Sequence, residues 1–301
     1  MNLTIAYITN RDDCKIQWFL DSLARQIQPG DEVRIVVVDF FAHEREKGLV
    51  CIAGSIFPYL VPPKPNPWQG PHRLTKEDWF AAANARNTAD CLAPDGHIAY
   101  VDDLSVLLPG WLDCVKQSMR ENYVALGAYK KVKKLVVEDG EVKSFEENPF
   151  GVDSRLRQVT QDQTSCDGSW LYGCSVAMPV EAVLEVNGFP EDLCGGLGFE
   201  DVCFGITLGN TGKYSFRYDR RMMTYESEED HFVANPMKKT DKGVSPNDKS
   251  HAALAIARNS KYFPNQFNLR QMRESVLAGN PFPLCGTPDR DWFDGQLLSE
   301  M

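Results

Sequence analysis

Apolar and polar positions in the first hundred residues alternate between short hydrophobic runs and stretches of helical period, the pattern of an α/β sheet with crossover helices. Leu3 to Ile8 predicts a first strand, after which Ile16, Phe19, Leu20, Leu23 and Ile27 recur at helical spacing until Pro29-Gly30 stops the helix. Val33 to Val38 predicts a second strand ending at Asp39. From Phe57 to Pro71 the chain is rich in proline, which predicts an irregular surface segment. Thr75, followed by Asp78 in the manner of a capping box, opens a helix whose apolar stripe is Trp79, Ala82, Ala83 and Ala89. His97 to Val101 predicts a third strand that runs straight into Asp102-Asp103, and Pro109 suits the first position of a helix carrying Trp111, Leu112, Val115 and Met119.

The second half is more polar and less regular. Val132 to Phe145 places apolar residues on both sides of Asp139-Gly140, a hairpin signal, and Gln158 to Asp167 reads as a polar, mobile segment. Ser169 to Met178 predicts a strand and Pro179 to Val186 a short helix stopped by Asn187-Gly188. Lys238 to Lys249 reads as a loop or lid, followed by a helix over Ser250 to Ser260. These breaks divide the chain into a Rossmann-like half at 1–122, a second half of the same domain at 123–234, and a loop and helical extension at 235–301.

Composition narrows the class. With 43% hydrophobic and 25% charged residues in 301, the chain has the make-up of a folded globular protein. The 32 Lys and Arg against 42 Asp and Glu give a net charge of −10, which disfavours a general grip on nucleic acid. The most apolar stretch, Leu49 to Pro63, is interrupted by Gly54, Ser55 and Pro58 and is shorter than the roughly 20 residues of a spanning helix. With no basic, apolar leader after Met1, the expected location is cytoplasmic. Nine scattered cysteines without a Cys-x-x-Cys pair point to buried reduced thiols.

Three constellations carry chemistry. Asp102-Asp103 lies at the carboxyl end of a buried strand, the edge where open α/β sheets bind ligands, and two adjacent carboxylates invite a divalent cation or other neutralising donors. Arg86-Asn87 sits on the preceding helix, where the Arg86 fork suits either phosphate or the acidic strand end. Glu200-Asp201 follows the glycine-rich Gly195 to Gly198 and opens a helix, so one carboxylate can take a proton from an attacking hydroxyl. Trp170 and Tyr172 suit either the core or a sugar face, and Lys130-Lys131 with Lys133-Lys134 suit a solvated charge run or an anionic acceptor.

In this order, with Thr9-Asn10-Arg11 after the first strand and Asp39 after the second, the motifs make the chain resemble the GT-A glycosyltransferases. The likeness is to the inverting enzymes of family two, with a galactosyltransferase-type C-terminal half, over about Leu3 to His231. It rests on Ala85-Arg86-Asn87, on Tyr100-Val101-Asp102-Asp103 with Pro109-Gly110-Trp111-Leu112, and on Gly188-Phe189-Pro190-Glu191 with Phe199-Glu200-Asp201. The resemblance implies that Thr9, Arg11 and Asp39 hold the nucleotide, with Arg86, Asn87 and Asp102 on the donor, and that Mn²⁺ or Mg²⁺ sits on Asp102 and Asp103. The family's Asp-x-Asp is altered here, since Leu104 stands in the second acidic place. His231 is the implied histidine ligand and His251 the second choice.

The implied reaction moves a hexose-type sugar from a nucleotide diphosphate, UDP first, to an acceptor hydroxyl with inversion. Asp201 is the expected base, with Glu200 orienting the acceptor or supporting the base. The acceptor class stays open among glycan, lipid-linked sugar, protein and, less favoured, a modified DNA base. Two other readings compete: a non-catalytic nucleotide-sugar or glycan-binding module, and a sugar-nucleotide nucleotidyltransferase. The latter ordinarily carries a Gly-rich loop with Arg and Lys after the first strand, and Thr9-Asn10-Arg11-Asp12 is not one.

Overall fold

The structure, a computed structural model, describes residues 2–11, 13–42, 58–65, 81–194, 199–229 and 246–282. Its strands are β1 (Leu3–Thr9), β2 (Val33–Asp39), β3 (Tyr59–Val61), β4 (His97–Asp102), β5 (Ser105–Leu107), β6 (Val124–Glu138), β7 (Glu141–Glu146), β8 (Gln163–Cys166), β9 (Ser175–Pro179) and β10 (Phe216–Ser227). The helices are α1 (Ile16–Ala24), α2 (Ala82–Leu92), α3 (Trp111–Glu121), α4 (Arg155–Gln158), α5 (Val180–Glu185), α6 (Glu200–Asn210), α7 (Pro246–Asn259) and α8 (Leu269–Leu277).

One sheet runs in the order β3-β2-β1-β4-β9-β6-β10-β5, with β7 added on β6 and β8 on β10. β3, β2, β1 and β4 are mutually parallel, and β9 reverses direction between β4 and β6. Strand alternation then splits the core in two. On β1, Ala6 and Ile8 face a layer built with α2, α5, α6 and α8, while Leu3, Ile5 and Tyr7 face the layer of α1 and α3. Strands β1, β2 and β4 are largely buried on both faces, as their continuous apolar runs require. Their carboxyl ends align: Thr9 pairs with Asp39, and Ile8 with Asp102.

The hairpin at Asp139-Gly140 forms as expected, with both residues at positive φ (50° and 73°) and Glu138 paired to Glu141. Several elements differ from the sequence reading. Helix α3 starts at Trp111 behind a left-handed Gly110 (φ 91°), so Pro109 lies ahead of it. The segment read as mobile, Gln158 to Asp167, contains β8, which gains order by pairing with β10. The strand read from Ser169 begins only at Ser175, because Gly168–Trp170 forms a 3-10 turn. Tyr59–Val61 is a short strand inside the proline-rich segment, and α7 already begins within Lys238 to Lys249. Thr75, Asp78 and Trp79 lie outside the described residues. The described cysteines are free thiols, all buried except the half-buried Cys166. Among the described residues no helix is long and apolar enough to cross a membrane.

Candidate active site

Asp102 and Asp103 end β4 at the ligand edge of the sheet, and the two carboxylates have different partners. Asp103 is held by Thr9, whose Oγ1 donates to its Oδ2 (2.8 Å), and by Arg11, whose Nε stands 2.9 Å from the same oxygen. Burial raises its pKa, a shift that Arg11 and Thr9 oppose. Asp102 is 31% exposed at its side chain and takes Arg86 Nη2 on Oδ1 at 2.8 Å. Between these contacts and β5, Leu104 adopts a left-handed backbone (φ 61°) and is buried, its N–H directed at Tyr7 Oη and Cys14 O. A residue turned into the core there presents no ligand to the cleft, which is the structural counterpart of the altered Asp-x-Asp.

Arg86 is the centre of the site. It rises from α2, is 2% exposed, and spans two carboxylates: Nη2 reaches Asp102 and Nη1 reaches Glu200 Oε1, each at 2.8 Å. Burial would lower its pKa, but the charges of Asp102, Glu200 and Asp201 outweigh it and the net shift is upward. Gly173 makes the close packing possible, because a Cβ there would lie 2.3 Å from Arg86 Nη2. The strand end and the acidic helix start are thereby drawn to one cleft.

Gly173 also serves Asp201. Its N–H donates to Asp201 Oδ2 (2.9 Å) while the Val202 N–H donates to Oδ1 (2.7 Å). Burial and the neighbouring Glu200 charge push the Asp201 pKa up to about 7, against Arg86 and the two N–H groups. Such a carboxyl sits in the range where a general base works near neutral pH. Ahead of it, Phe199 holds a left-handed conformation (φ 72°) that is unusual for an aromatic residue and is 40% exposed at the start of α6.

In the structure the residues expected on the donor side have protein partners of their own, and Arg86 takes the acidic strand end, one of the two partners its fork suits. Thr9 and Arg11 are engaged by Asp103, and Arg86 pairs with the acidic groups. Asn87 is fully buried and points away: its Nδ2 donates to Phe189 O and Glu191 Oε1 at 2.9 Å each, and its Oδ1 accepts from the Phe189 N–H. Asp39 is buried at the end of β2, where its Oδ1 accepts from the Phe41 N–H (2.8 Å). His231 and the glycine-rich 195–198 lie outside the described residues, as does the side chain of His251, whose backbone belongs to α7.

Glu226 escaped the sequence reading, and Lys131 entered it only as part of a lysine run suited to solvent or to an anionic acceptor. Lys131 on β6 pairs in register with Glu226 on β10, and Glu226 with Ser105, immediately after Leu104. Glu226 is 7% exposed; burial and the charges of Asp102 and Asp103 raise its pKa to about 7, against Lys131. For Glu226 the only sequence signal was the alternation in Thr224-Tyr225-Glu226-Ser227, and it shows only once β10 is recognised.

This architecture is the GT-A glycosyltransferase fold. Structures of S. aureus TarS 1-349, with UDP and with UDP-GlcNAc, match with TM-scores of 0.55 and 0.56 at 15% identity, covering 93% of this chain and 70% and 71% of theirs. GalNAc-T7 with UDP, GalNAc and Mn²⁺ matches with a TM-score of 0.53 at 11% identity, over 94% of this chain and 59% of that one. No protein-family model and no curated protein matches the sequence.

Proposed function

We propose that the chain is a glycosyltransferase that moves a sugar from a nucleotide diphosphate, UDP-hexose first among candidates, to an acceptor hydroxyl with inversion. The observation that carries this is the Asp102–Arg86–Glu200 bridge, which joins the donor-side strand end to the helix bearing Asp201. The fold is shared with proteins whose structures hold UDP or UDP-GlcNAc.

In the proposed reaction the acceptor oxygen attacks the anomeric carbon as its proton passes to Asp201. The new C–O bond forms as the bond from that carbon to the diphosphate breaks, and the nucleoside diphosphate leaves with the electron pair. The Gly173 and Val202 N–H groups each take one lone pair of Asp201, leaving others for the hydroxyl. Arg86 ties Glu200 down, so Glu200 supports the base and fixes its surroundings. A base held this way contributes typically about 10²–10⁴-fold to the rate.

A divalent cation, as Mn²⁺ in GalNAc-T7, belongs to this reading. Among the described residues no three His, Cys, Asp or Glu side chains cluster as a metal site. The half-exposed carboxylate of Asp102, with Asp103 beside it, would hold the cation together with water and phosphate oxygens, and His231 is the further candidate. When bound, it would neutralise charge on the departing diphosphate. The test is a panel of nucleotide sugars with Mn²⁺, followed by calorimetry and by donor hydrolysis without acceptor. One donor should bind and turn over slowly to free sugar; binding without any hydrolysis or transfer favours a binding module, and no binding refutes the reading.

A further inference from the structure

The carboxylates converging on this cleft are Asp102, Asp103, Glu200, Asp201 and Glu226, and a nucleoside diphosphate would bring two or three more negative charges. Arg86, Arg11 and Lys131 are paired with these carboxylates, and they differ in what they can offer. Arg86 and Arg11 are 2% and 5% exposed and lie 2.8–2.9 Å from their carboxylates. Either would have to leave a tight, desolvated ion pair to meet a ligand, a costly exchange. Lys131 differs on both counts: its side chain is 35% exposed, and its Nζ stands 3.6 Å from Glu226 Oε2.

Lys131 is also held on a rigid support. Its N–H donates to Gly151 O (2.8 Å), and Gly151 packs so closely that a Cβ there would meet Lys131 O at 2.2 Å. On the other side β10 pairs with it through Glu226. The Ser227 N–H donates to Leu104 O (3.2 Å), which fastens this end of β10 beside the altered acidic motif. Glu226 is nine-tenths buried, its Oε1 has no hydrogen-bond partner, it lies within reach of the charges of Asp102 and Asp103, and its Oε2 steers the ammonium. Neighbouring Glu226, Glu228 and Asp102 keep Lys131 fully charged.

We infer that Lys131, steered by Glu226, is the protein's contact for the diphosphate of the donor, supplying positive charge where the chain lacks the second acid of Asp-x-Asp. The inference rests on the nucleotide-donor reading above. A charge-assisted contact of this kind changes affinity roughly tenfold or more when removed.

The test compares UDP with uridine, which lacks the phosphates, by calorimetry and competition NMR in Mn²⁺ buffer. Lys131→Met should raise the Kd of UDP roughly tenfold or more while uridine binding is unchanged, and Lys131→Arg should restore most of the loss. Because Lys131→Met leaves Glu226 buried and unpaired, the double variant Lys131→Met/Glu226→Gln is measured beside it and should show the same split between UDP and uridine. Unchanged UDP affinity overturns the inference, as does an equal weakening of UDP and uridine, which would mark a general disturbance of the pocket. If the wild-type chain binds no nucleoside diphosphate at all, the donor reading itself fails and this inference with it; if it binds UDP and the variants match it, only the Lys131 assignment fails.

Discussion

Replacing Asp201 by Asn separates a catalytic base from a helix cap, because the two roles predict opposite changes in stability. In the folded chain the Asp201 pKa is raised from 3.8 to about 7. The native state therefore holds a proton that the unfolded chain releases between about pH 4 and 7, and stability falls as pH climbs through that window. Across the full interval the cost of ionising it in place is at most about 4 kcal/mol, an upper bound because the side chain keeps some exposure to solvent. Asn cannot ionise and escapes that cost, but it loses one of the two acceptor contacts to Gly173 and Val202, about 1–3 kcal/mol. At pH 8.5 the variant should be more stable by about 1–3 kcal/mol, seen as a rise in Tm of several degrees, and at pH 5 the advantage should vanish or reverse. Transfer should fall by roughly 10² or more with donor affinity near normal, and the wild-type rate should climb with pH through about 7. Thermal scans at both pH values, with initial rates from pH 5.5 to 8.5, measure this. A variant that is less stable at pH 8.5 and transfers sugar at the wild-type rate would show Asp201 to be a cap.

Arg86→Met should strand the buried Glu200 and cost about 3–5 kcal/mol in urea unfolding, and a loss under 1 kcal/mol would mean the bridge is not formed. Gly173→Ala should push Arg86 aside, destabilise the fold by about 1–3 kcal/mol and lower transfer, whereas Gly209→Ala in α6, where the nearest atom is 3.8 Å from the added Cβ, should be neutral or stabilising in the same thermal scan. Asp102→Asn and EDTA should each weaken donor hydrolysis strongly; full turnover in EDTA would instead assign the diphosphate to protein cations alone.

Strands β1, β2 and β4 were legible because they are buried on both faces and their helices keep an apolar stripe, whereas the short parallel edge strand β3, half exposed inside a proline-rich segment, was not. Leu3 to Ile8 and His97 to Val101 were each one residue short at the carboxyl end, while Val33 to Val38 was placed with its end at Asp39, where it lies. Those last residues, Thr9, Asp39 and Asp102, are polar, and they extend the strands because neighbouring backbone pairs with them. Beyond the hairpin at Asp139-Gly140, the other half of the sheet was not legible in this way. β10 reads Phe216-Arg217-Tyr218-Asp219 and then Arg220-Arg221, and its pairing with β6 shifts register between Asp219 and Met223, so no simple alternation survives. β5 and β8 are short and owe their existence to β10, a partner that no local pattern announces.

The site shows the same division between what a residue type offers and what its surroundings take. Sequence order identified the groups that meet here, Arg86, Asp102, Asp103, Glu200 and Asp201; it left Arg86 to either phosphate or the acidic strand end, while the family resemblance implied a nucleotide for Thr9 and Arg11. The structure pairs them with carboxylates first, and the reason is electrostatic: four acids brought to one buried edge cannot stay charged without cations of their own. A nucleotide binder with a complete Asp-x-Asp can leave that neutralisation to a metal. Here Leu104 is turned into the core and the arginines are already paired with acids, so beside any cation on Asp102 the protein charge left for a ligand is that of a more exposed residue. That is the physical reason a lysine from a run read as solvated, Lys131, becomes informative only when β6, β10 and β5 are placed side by side.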